Sequence, residues 1–269
     1  MPGVKGLNAG QMLGSAPLPV KALLLLNVDP LLDAADPAAA ATALRAAEFV
    51  VALSPLQLHS LEHVDVLLPI APFTETSGTF INAEGRVQSF HAVVKPAADA
   101  RPAWKVLRVL ANLLELQGFD FETSEDVKKE ALGDVATLSA RLSNAGESAP
   151  AGPAPVPTFA PAASGRANAG HERISDVPIY ATDSLVRHAQ SLQMTADARP
   201  PVAGLPAALW QQLRLAPGAK VRISQGTAQA VLPARLDATL AAHTVRIPTG
   251  HADTATLGAM FGPLTVERA

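Results

Sequence analysis

The sequence predicts an α/β fold in which a parallel-sheet domain is followed by a smaller, β-rich domain. Apolar runs at residues 22–28 and 49–53 predict buried strands. The alanine-rich run 37–47 between them predicts a helix, with Pro37 suited to its first turn and Asp36 to its N-cap. Two buried strands joined by a helix form a βαβ crossover, which implies parallel pairing.

Further elements extend this first domain. Residues 65–69 predict a third strand, and residues 102–116 show apolar and polar side chains on opposite faces at helical spacing. Gly118 is suited to end that helix, and Ser124 to begin another whose acidic first turn complements the helix dipole. We interpret both helices as packing elements.

A proline-rich stretch predicts the domain boundary. From residue 144 to 170 the chain is rich in Ala, Pro, Gly and Ser, which excludes regular helix and central strand. We therefore predict a partial α/β domain at residues 1–143, a linker at 144–172 and a second domain at 173–269. The second domain is predicted to contain a short helix at 205–213, a strand at 220–224, a strand ending at 231 and a strand at 244–248.

Composition excludes several classes of function. With 269 residues and a net charge of −3, the chain has no electrostatic footprint for nucleic acid. The longest apolar run near its start is far below the roughly 20 residues of a bilayer span, and no signal-peptide pattern precedes it. We expect a soluble, cytoplasmic protein without direct membrane insertion. The sequence has no cysteine, so it can hold neither a disulfide nor an iron–sulfur cluster of the usual thiolate type.

The most informative segment is LLPIAPFTETSGTFINAEGRVQSF, residues 67–90. An apolar strand runs into a polar loop that gathers Glu75, Thr76, Ser77 and Thr79 around Gly78, and a hairpin follows. The hairpin adds its own polar residues, among them Asn82 and Arg86. Polar loops after buried strands are common sites of ligand contact. The same residue types also satisfy turn backbone, so both interpretations stay open.

The pattern E-T-x-G-T-F-x-N-x-E-G-R-x-Q resembles the molybdopterin oxidoreductase superfamily. The fuller run PIAPFTETSGTFINAEGRVQSF, with VVKP and RPAWKVLRVLANLL after it, is most similar to the large iron–sulfur subunits of bacterial complex I, the NADH:quinone oxidoreductase. The resemblance implies that the chain corresponds to the C-terminal portion of such a protein. It also implies that the second domain is a small double-psi β-barrel of the molybdopterin dinucleotide-binding type.

This resemblance implies a structural role for the chain within an electron-transferring complex. It implies that iron–sulfur clusters lie only in upstream domains, that the partners are other peripheral-arm subunits of complex I, and that the chain lies peripherally on the inner face of the plasma membrane. It implies no catalytic residue and no metal ligand here. The candidate residues of a vestigial pterin site are Glu75, Thr76, Gly78, Thr79, Asn82 and Arg86.

Two alternatives remain beside the complex I interpretation. The chain could be a fragment of a molybdopterin-dependent oxidoreductase, such as a formate dehydrogenase-like protein, that still binds the pterin cofactor. It could also be a free-standing interaction module. A zinc hydrolase is the least favoured interpretation: residues 59–63, HSLEH, match H-x-x-E-H, but Pro55 and the strand from Asp65 leave about two helical turns.

Overall fold

The computed structural model describes residues 6–14, 17–82, 84, 86–134 and 170–269. Their contacts divide the chain into two units. The first consists of Met1–Ala52, Leu56–Val66 and Pro157–Ala269, and the second of Leu53–Pro55 and Leu67–Val156. This division differs from the domain boundaries predicted at residues 143 and 173. Those boundaries stay a prediction. The predicted linker lies outside the described residues except at 170–172.

A three-stranded parallel sheet forms the start of the fold, as the βαβ pattern predicts. Its strands lie in the order β1-β2-β3, with β1 at Ala22–Leu26, β2 at Phe49–Ser54 and β3 at Val66–Pro69. Alternate residues of β1 are buried, because Leu23 and Leu25 point toward one apolar cluster. Asp65 directly precedes β3, and its carboxylate accepts a hydrogen bond from the Val50 amide of β2 at 2.7 Å.

Short helices cover that buried face. They are α1 at Ala9–Leu13, α2 at Pro30–Asp33, α3 at Pro37–Ala46 and a 3-10 helix at His59–His63. The sequence prediction for α3 is confirmed: Pro37 occupies its first turn, and the Asp36 side chain accepts from the Ala39 amide at 3.0 Å. Leu44 of α3 packs in the same cluster as the β1 leucines.

The second unit contains a hairpin and two helices. The hairpin pairs β4 at Gly78–Ile81 with β5 at Val87–Phe90, and the helices are α4 at Ala103–Leu113 and α5 at Ser124–Leu132. Both helices confirm predictions, and Thr123 and Asp126 form a capping box at the start of α5. The apolar face of α4 is only partly covered: Ala111 is buried, whereas Leu113 is 76% exposed.

Residues 170–269 of the first unit contain a closed six-stranded barrel with strand order β10-β6-β11-β8-β9-β7. The strands are β6 at His171–Ile174, β7 at Ala203–Leu205, β8 at Lys220–Gln225, β9 at Ala228–Leu236, β10 at Thr244–Arg246 and β11 at Gly262–Arg268. The helices along this part of the chain are α6 at Ser184–His188, α7 at Gln190–Gln193, α8 at Ala207–Gln212 and α9 at Ala252–Ala255.

The barrel core is mainly apolar and contains one buried charged residue. Val221, Ile223, Val245 and Ile247 are fully buried, and so is Arg173 on β6. The six-stranded barrel agrees with the predicted β-barrel domain, and its double-psi topology stays a prediction. In the described part of the chain, no helix is long and apolar enough to cross a membrane.

Candidate functional site

The polar loop after β3 lines a pocket of about 470 Å³ in the second unit. The loop itself supplies Glu75, Thr76 and Ser77. The opposite wall is formed by the chain that leads into α4 and by the first residue of α5. The pocket therefore joins three segments that are separated in sequence.

Three cationic side chains line this pocket: Lys95, Arg101 and Lys105. All three residues are exposed, so water screens their mutual repulsion. Arg101 donates to the Ala100 carbonyl at 2.9 Å, which fixes the position of its guanidinium. Only one carboxylate, that of Glu75, lines the pocket beside these cations. The pocket is thus positively charged.

Trp104 gives the pocket one flat apolar wall. Its ring is half-buried, and the ammonium of Lys105 lies 5.3 Å from the ring centroid. A cation at this distance from an indole face is held by the electrostatic attraction of the ring. The arrangement of cations around an aromatic face suits an anionic ligand that also carries a planar ring.

The polar side chains of the loop bind backbone groups of the loop and of the chain that follows the hairpin. Glu75 accepts a hydrogen bond from the Ala97 amide at 2.9 Å, and Ser77 accepts from the Ala92 amide at 3.3 Å. The Thr76 hydroxyl donates to the Ser77 carbonyl at 3.1 Å. These bonds shape the loop, and a hydroxyl oxygen retains further capacity for a ligand.

The hairpin residues of the predicted site lie elsewhere. The Thr79 hydroxyl is 3.1 Å from that of Ser89 on the opposite strand. The Asn82 side chain accepts from the amides of Glu84 and Arg86, at 3.0 and 2.9 Å, and so closes the turn. The Arg86 guanidinium lies 3.9 Å from the Glu84 carboxylate, and both side chains are exposed. None of these residues lines the pocket.

Gly78 has a packing role. A Cβ at this position would lie 2.7 Å from Cζ of Phe90, whose ring stacks on Phe80 at 5.2 Å. The glycine therefore makes room for the Phe90 ring. Gly85, the other glycine of the hairpin, lies outside the described residues.

Of the six predicted site residues, the structure brings only Glu75 and Thr76 into the pocket. Sequence reasoning missed Lys95, Arg101, Trp104 and Lys105. The signal was present, because these four side chains cluster in the short run VVKPAADARPAWK, residues 93–105. Basic residues beside a tryptophan are a pattern for anion binding next to a flat surface.

The carboxyl edge of the parallel sheet is a second place where ligands often bind. Here the Asp29 carboxylate after β1 is buried and accepts from the amides of Leu31 and His59. This carboxylate therefore fixes the loops at that edge. Among the described residues, no group of three or more His, Asp or Glu side chains is arranged to hold a metal ion.

The HSLEH segment does not form the helical pair that zinc hydrolases use. It folds as a 3-10 helix, which has three residues per turn, so side chains at i and i+4 do not share a face. His63 lies 3.4 Å from Glu62, and His59 lies 3.7 Å from Asp29. The expectation against zinc hydrolysis is consistent with this geometry.

The chain is similar to known proteins both in sequence and in fold. Residues 3–113 match the model of the molybdopterin oxidoreductase family. This region is a molybdopterin oxidoreductase family domain. One curated relative is the F420-dependent formate dehydrogenase 2 subunit alpha of Methanococcus maripaludis, which is 32% identical over 126 residues. The match covers 46% of this chain and 19% of that protein, so this chain spans about a fifth of the relative's length.

A solved structure shows the fold beyond the matched domain. The acetylene hydratase of Pelobacter acetylenicus superposes with a TM-score of 0.57 at 17% sequence identity. The superposition covers 96% of this chain and 45% of the hydratase. The molybdopterin oxidoreductase part of the sequence interpretation is therefore confirmed. Its finer part, the large iron–sulfur protein of complex I, receives no support from these relatives.

Proposed function

We propose that the chain is a cofactor-binding part of a molybdopterin-dependent oxidoreductase of the formate dehydrogenase type. The observation that carries this proposal is the cationic pocket with its tryptophan wall, on a loop inside the matched family domain. The formate dehydrogenase relative supports the same class of enzyme. This was the alternative to the complex I interpretation in the sequence analysis.

The pocket residues fit the organic part of such a cofactor. A molybdopterin carries a phosphate and a flat ring system. Lys95, Arg101 and Lys105 offer charge-assisted hydrogen bonds to phosphate oxygens, and Trp104 offers a face for a ring. Thr76 adds a hydroxyl from the loop on the opposite wall. When bound, the cofactor supplies a metal centre for two-electron oxidation and reduction. The residues of this chain bind and orient it.

The chemical role of this chain is therefore electrostatic. The exposed Lys95 and Lys105 attract the anionic cofactor. The Arg101 guanidinium, which donates to the Ala100 carbonyl, gives that anion a directional contact. The bonds from Glu75 and Ser77 to backbone amides keep the loop in one shape before the ligand arrives. A preformed loop loses less conformational entropy on binding.

Pterin content tests this proposal. The chain is produced in a host that synthesises molybdopterin, and the purified protein is assayed for fluorescent oxidised pterin and for molybdenum by mass spectrometry. We expect bound pterin in the wild type and a large loss in the double variant Lys95→Ala/Lys105→Ala. Lys129→Ala, on α5 and outside this pocket, is the matched control and keeps the pterin. Absence of pterin from wild-type protein, or equal content in all variants, contradicts the proposal.

A second candidate is a structural component of complex I, with peripheral-arm subunits as partners on the inner face of the membrane. The observation that favours it is the internal use of Glu75 and Asn82, whose carboxylate and amide oxygen accept hydrogen bonds from the backbone amides of Ala97 and Glu84. Under this proposal the chain copurifies with other subunits of an NADH:quinone oxidoreductase and contains no pterin. Affinity purification from the native organism distinguishes the two, because a formate dehydrogenase-type protein brings down different partners.

A further inference from the structure

Two histidines lie side by side on neighbouring strands of the barrel. His171 is the first residue of β6, and His243 directly precedes β10. The two strands run parallel, with Thr244 opposite Glu172, and the Glu172 amide donates to the His243 carbonyl at 2.8 Å. The two imidazole rings are 6.3 Å apart between centroids, and their planes are tilted by 47°.

The backbone beneath these rings is firmly held. Two residues further along β6 is Arg173, which is paired with Val245 on β10, and both are fully buried in the barrel core. Side chains at i and i+2 of a strand share a face, so His171 continues the face that Arg173 begins. His171 is partly buried and His243 is exposed. His243 is therefore accessible to solvent, whereas His171 lies on a strand that is fixed by its buried residue Arg173.

We propose that His171 and His243 bind one divalent late transition-metal ion, of the zinc class, with water completing its coordination. Zinc binds imidazole nitrogen at about 2.0 to 2.1 Å in tetrahedral geometry, so one ion shared by two imidazoles places the ring centres roughly 5 to 5.5 Å apart. The observed separation of 6.3 Å is larger than that distance by about 1 Å. The exposed His243 ring must therefore turn toward His171 for one nitrogen of each ring to reach the ion.

The chemistry of the chain favours this pair over other candidates. The sequence has no thiolate, so imidazole is its preferred ligand for zinc-class ions. The other adjacent histidines, His59 and His63, lie beside carboxylates on a 3-10 helix and do not face one another in this way.

Calorimetric titration with Zn²⁺ alone tests this site. The full chain is used without a histidine tag, since a tag would bind the metal itself. We expect one high-affinity ion per chain in the wild type. His243→Ala and His171→Ala each raise the dissociation constant for Zn²⁺ by at least about tenfold, because loss of an outer-shell partner alone lowers metal affinity about 10- to 100-fold. His91→Ala and His63→Ala are matched controls and leave Zn²⁺ affinity unchanged.

Thermal melts give an independent measurement. A metal that binds the native state raises the melting temperature, so Zn²⁺ raises that of the wild type more than that of His243→Ala. Since His243 is exposed, its replacement leaves the fold intact even where His171→Ala destabilises the barrel. Wild-type protein that binds no Zn²⁺, or His243→Ala protein that binds it undiminished, overturns the proposal. Pterin content of His243→Ala equals that of the wild type, which separates this proposal from the proposed function.

Discussion

Arg187 and Asp33 form an ion pair across 154 positions of sequence, with Nη2 of the arginine 2.7 Å from Oδ1 of the aspartate. The Arg187 side chain is only 8% exposed. Its other terminal nitrogen donates to the Ala181 carbonyl at 2.9 Å, and Asp33 also accepts from the Asp29 amide at 2.7 Å. The pair thus joins helix α2, from the start of the chain, to helix α6 beside the barrel.

We expect Arg187→Ala to destabilise the protein by about 2 to 3 kcal/mol, because it leaves a partly buried carboxylate without its charged donor. Arg86→Ala is the control: its pair with Glu84 is exposed and long, so the expected loss is about 1 kcal/mol or less. Urea unfolding of both variants measures the difference. Equal losses would contradict the assigned role of the Arg187–Asp33 pair.

A double-mutant cycle with Asp33→Asn shows how the loss is shared. The two single changes should be strongly non-additive, because both remove the same contact. The cycle also addresses domain organisation. If the predicted domains at residues 1–143 and 173–269 do not contact one another through this pair in solution, the coupling energy between Arg187 and Asp33 is close to zero.

Gly78 provides a test of packing in the hairpin. An added methyl group would lie 2.7 Å from the Phe90 ring, which must then shift from its stack on Phe80. Overpacking of this kind costs about 1 to 3 kcal/mol. We expect Gly78→Ala to lose stability in thermal melts, and Phe90→Leu in the same chain to recover part of it. Gly6→Ala, where nothing lies within 4 Å, is the control. Failure of Phe90→Leu to recover any stability would show that the Phe90 ring is not the obstacle.

The regular elements of the first half were predictable because their signals are local. Strand β1 and helix α3 follow from an apolar run and from an alanine-rich run preceded by Asp36. Strand β6 was not predicted, because HERI contains two charges and no alternation of apolar residues. Its Arg173 is fully buried, donates to the Gln225 side chain and the Ala259 carbonyl, and has a pKa lowered by burial to about 10. Those partners are 52 and 86 residues away, beyond any local pattern.

The candidate site was predicted only in part for a similar reason. The pattern around Glu75 identified the loop, but it could not show which polar side chains turn toward a common space. Thr79 and Asn82 are close to Glu75 in sequence, yet they bind the opposite strand and the hairpin turn. Lys95 and Lys105 reach the pocket because the chain folds back after the hairpin. Only tertiary structure determines that return.

Asn82 is expected to act on stability and not on ligand binding. Asn82→Ala removes the acceptor of two backbone amides in the turn, for a loss of about 1 kcal/mol at an exposed position. Asn82→Asp keeps an acceptor oxygen in the same place and should lose less. Urea unfolding ranks the three proteins. Should Asn82→Ala instead retain full stability and lose bound pterin, the hairpin would belong to the cofactor site after all.

We expect the partly buried His251 to make the stability of the protein depend on pH. Its Nε2 is buried without a hydrogen-bond partner in the described part of the chain, and burial lowers the pKa of the imidazole against the opposing effect of Asp253 and Asp176. The unfolded state, with a pKa near the ordinary value of 6.5, therefore binds more protons than the native state when the pH lies between the two pKa values. Stability is complete above about pH 6.5 and falls as the pH drops through that window, until the native pKa is passed.

We expect the melting temperature to decrease between about pH 7.5 and pH 5.5, with His171 contributing in the same direction because burial and His243 also lower its pKa. His251→Gln, which cannot be protonated, should show a smaller decrease than the wild type. His188→Gln is the control, since that histidine is exposed and its ring nitrogen is already 2.7 Å from the Ser184 carbonyl. A pH profile of His251→Gln identical to that of the wild type would mean that the buried imidazole does not determine acid stability.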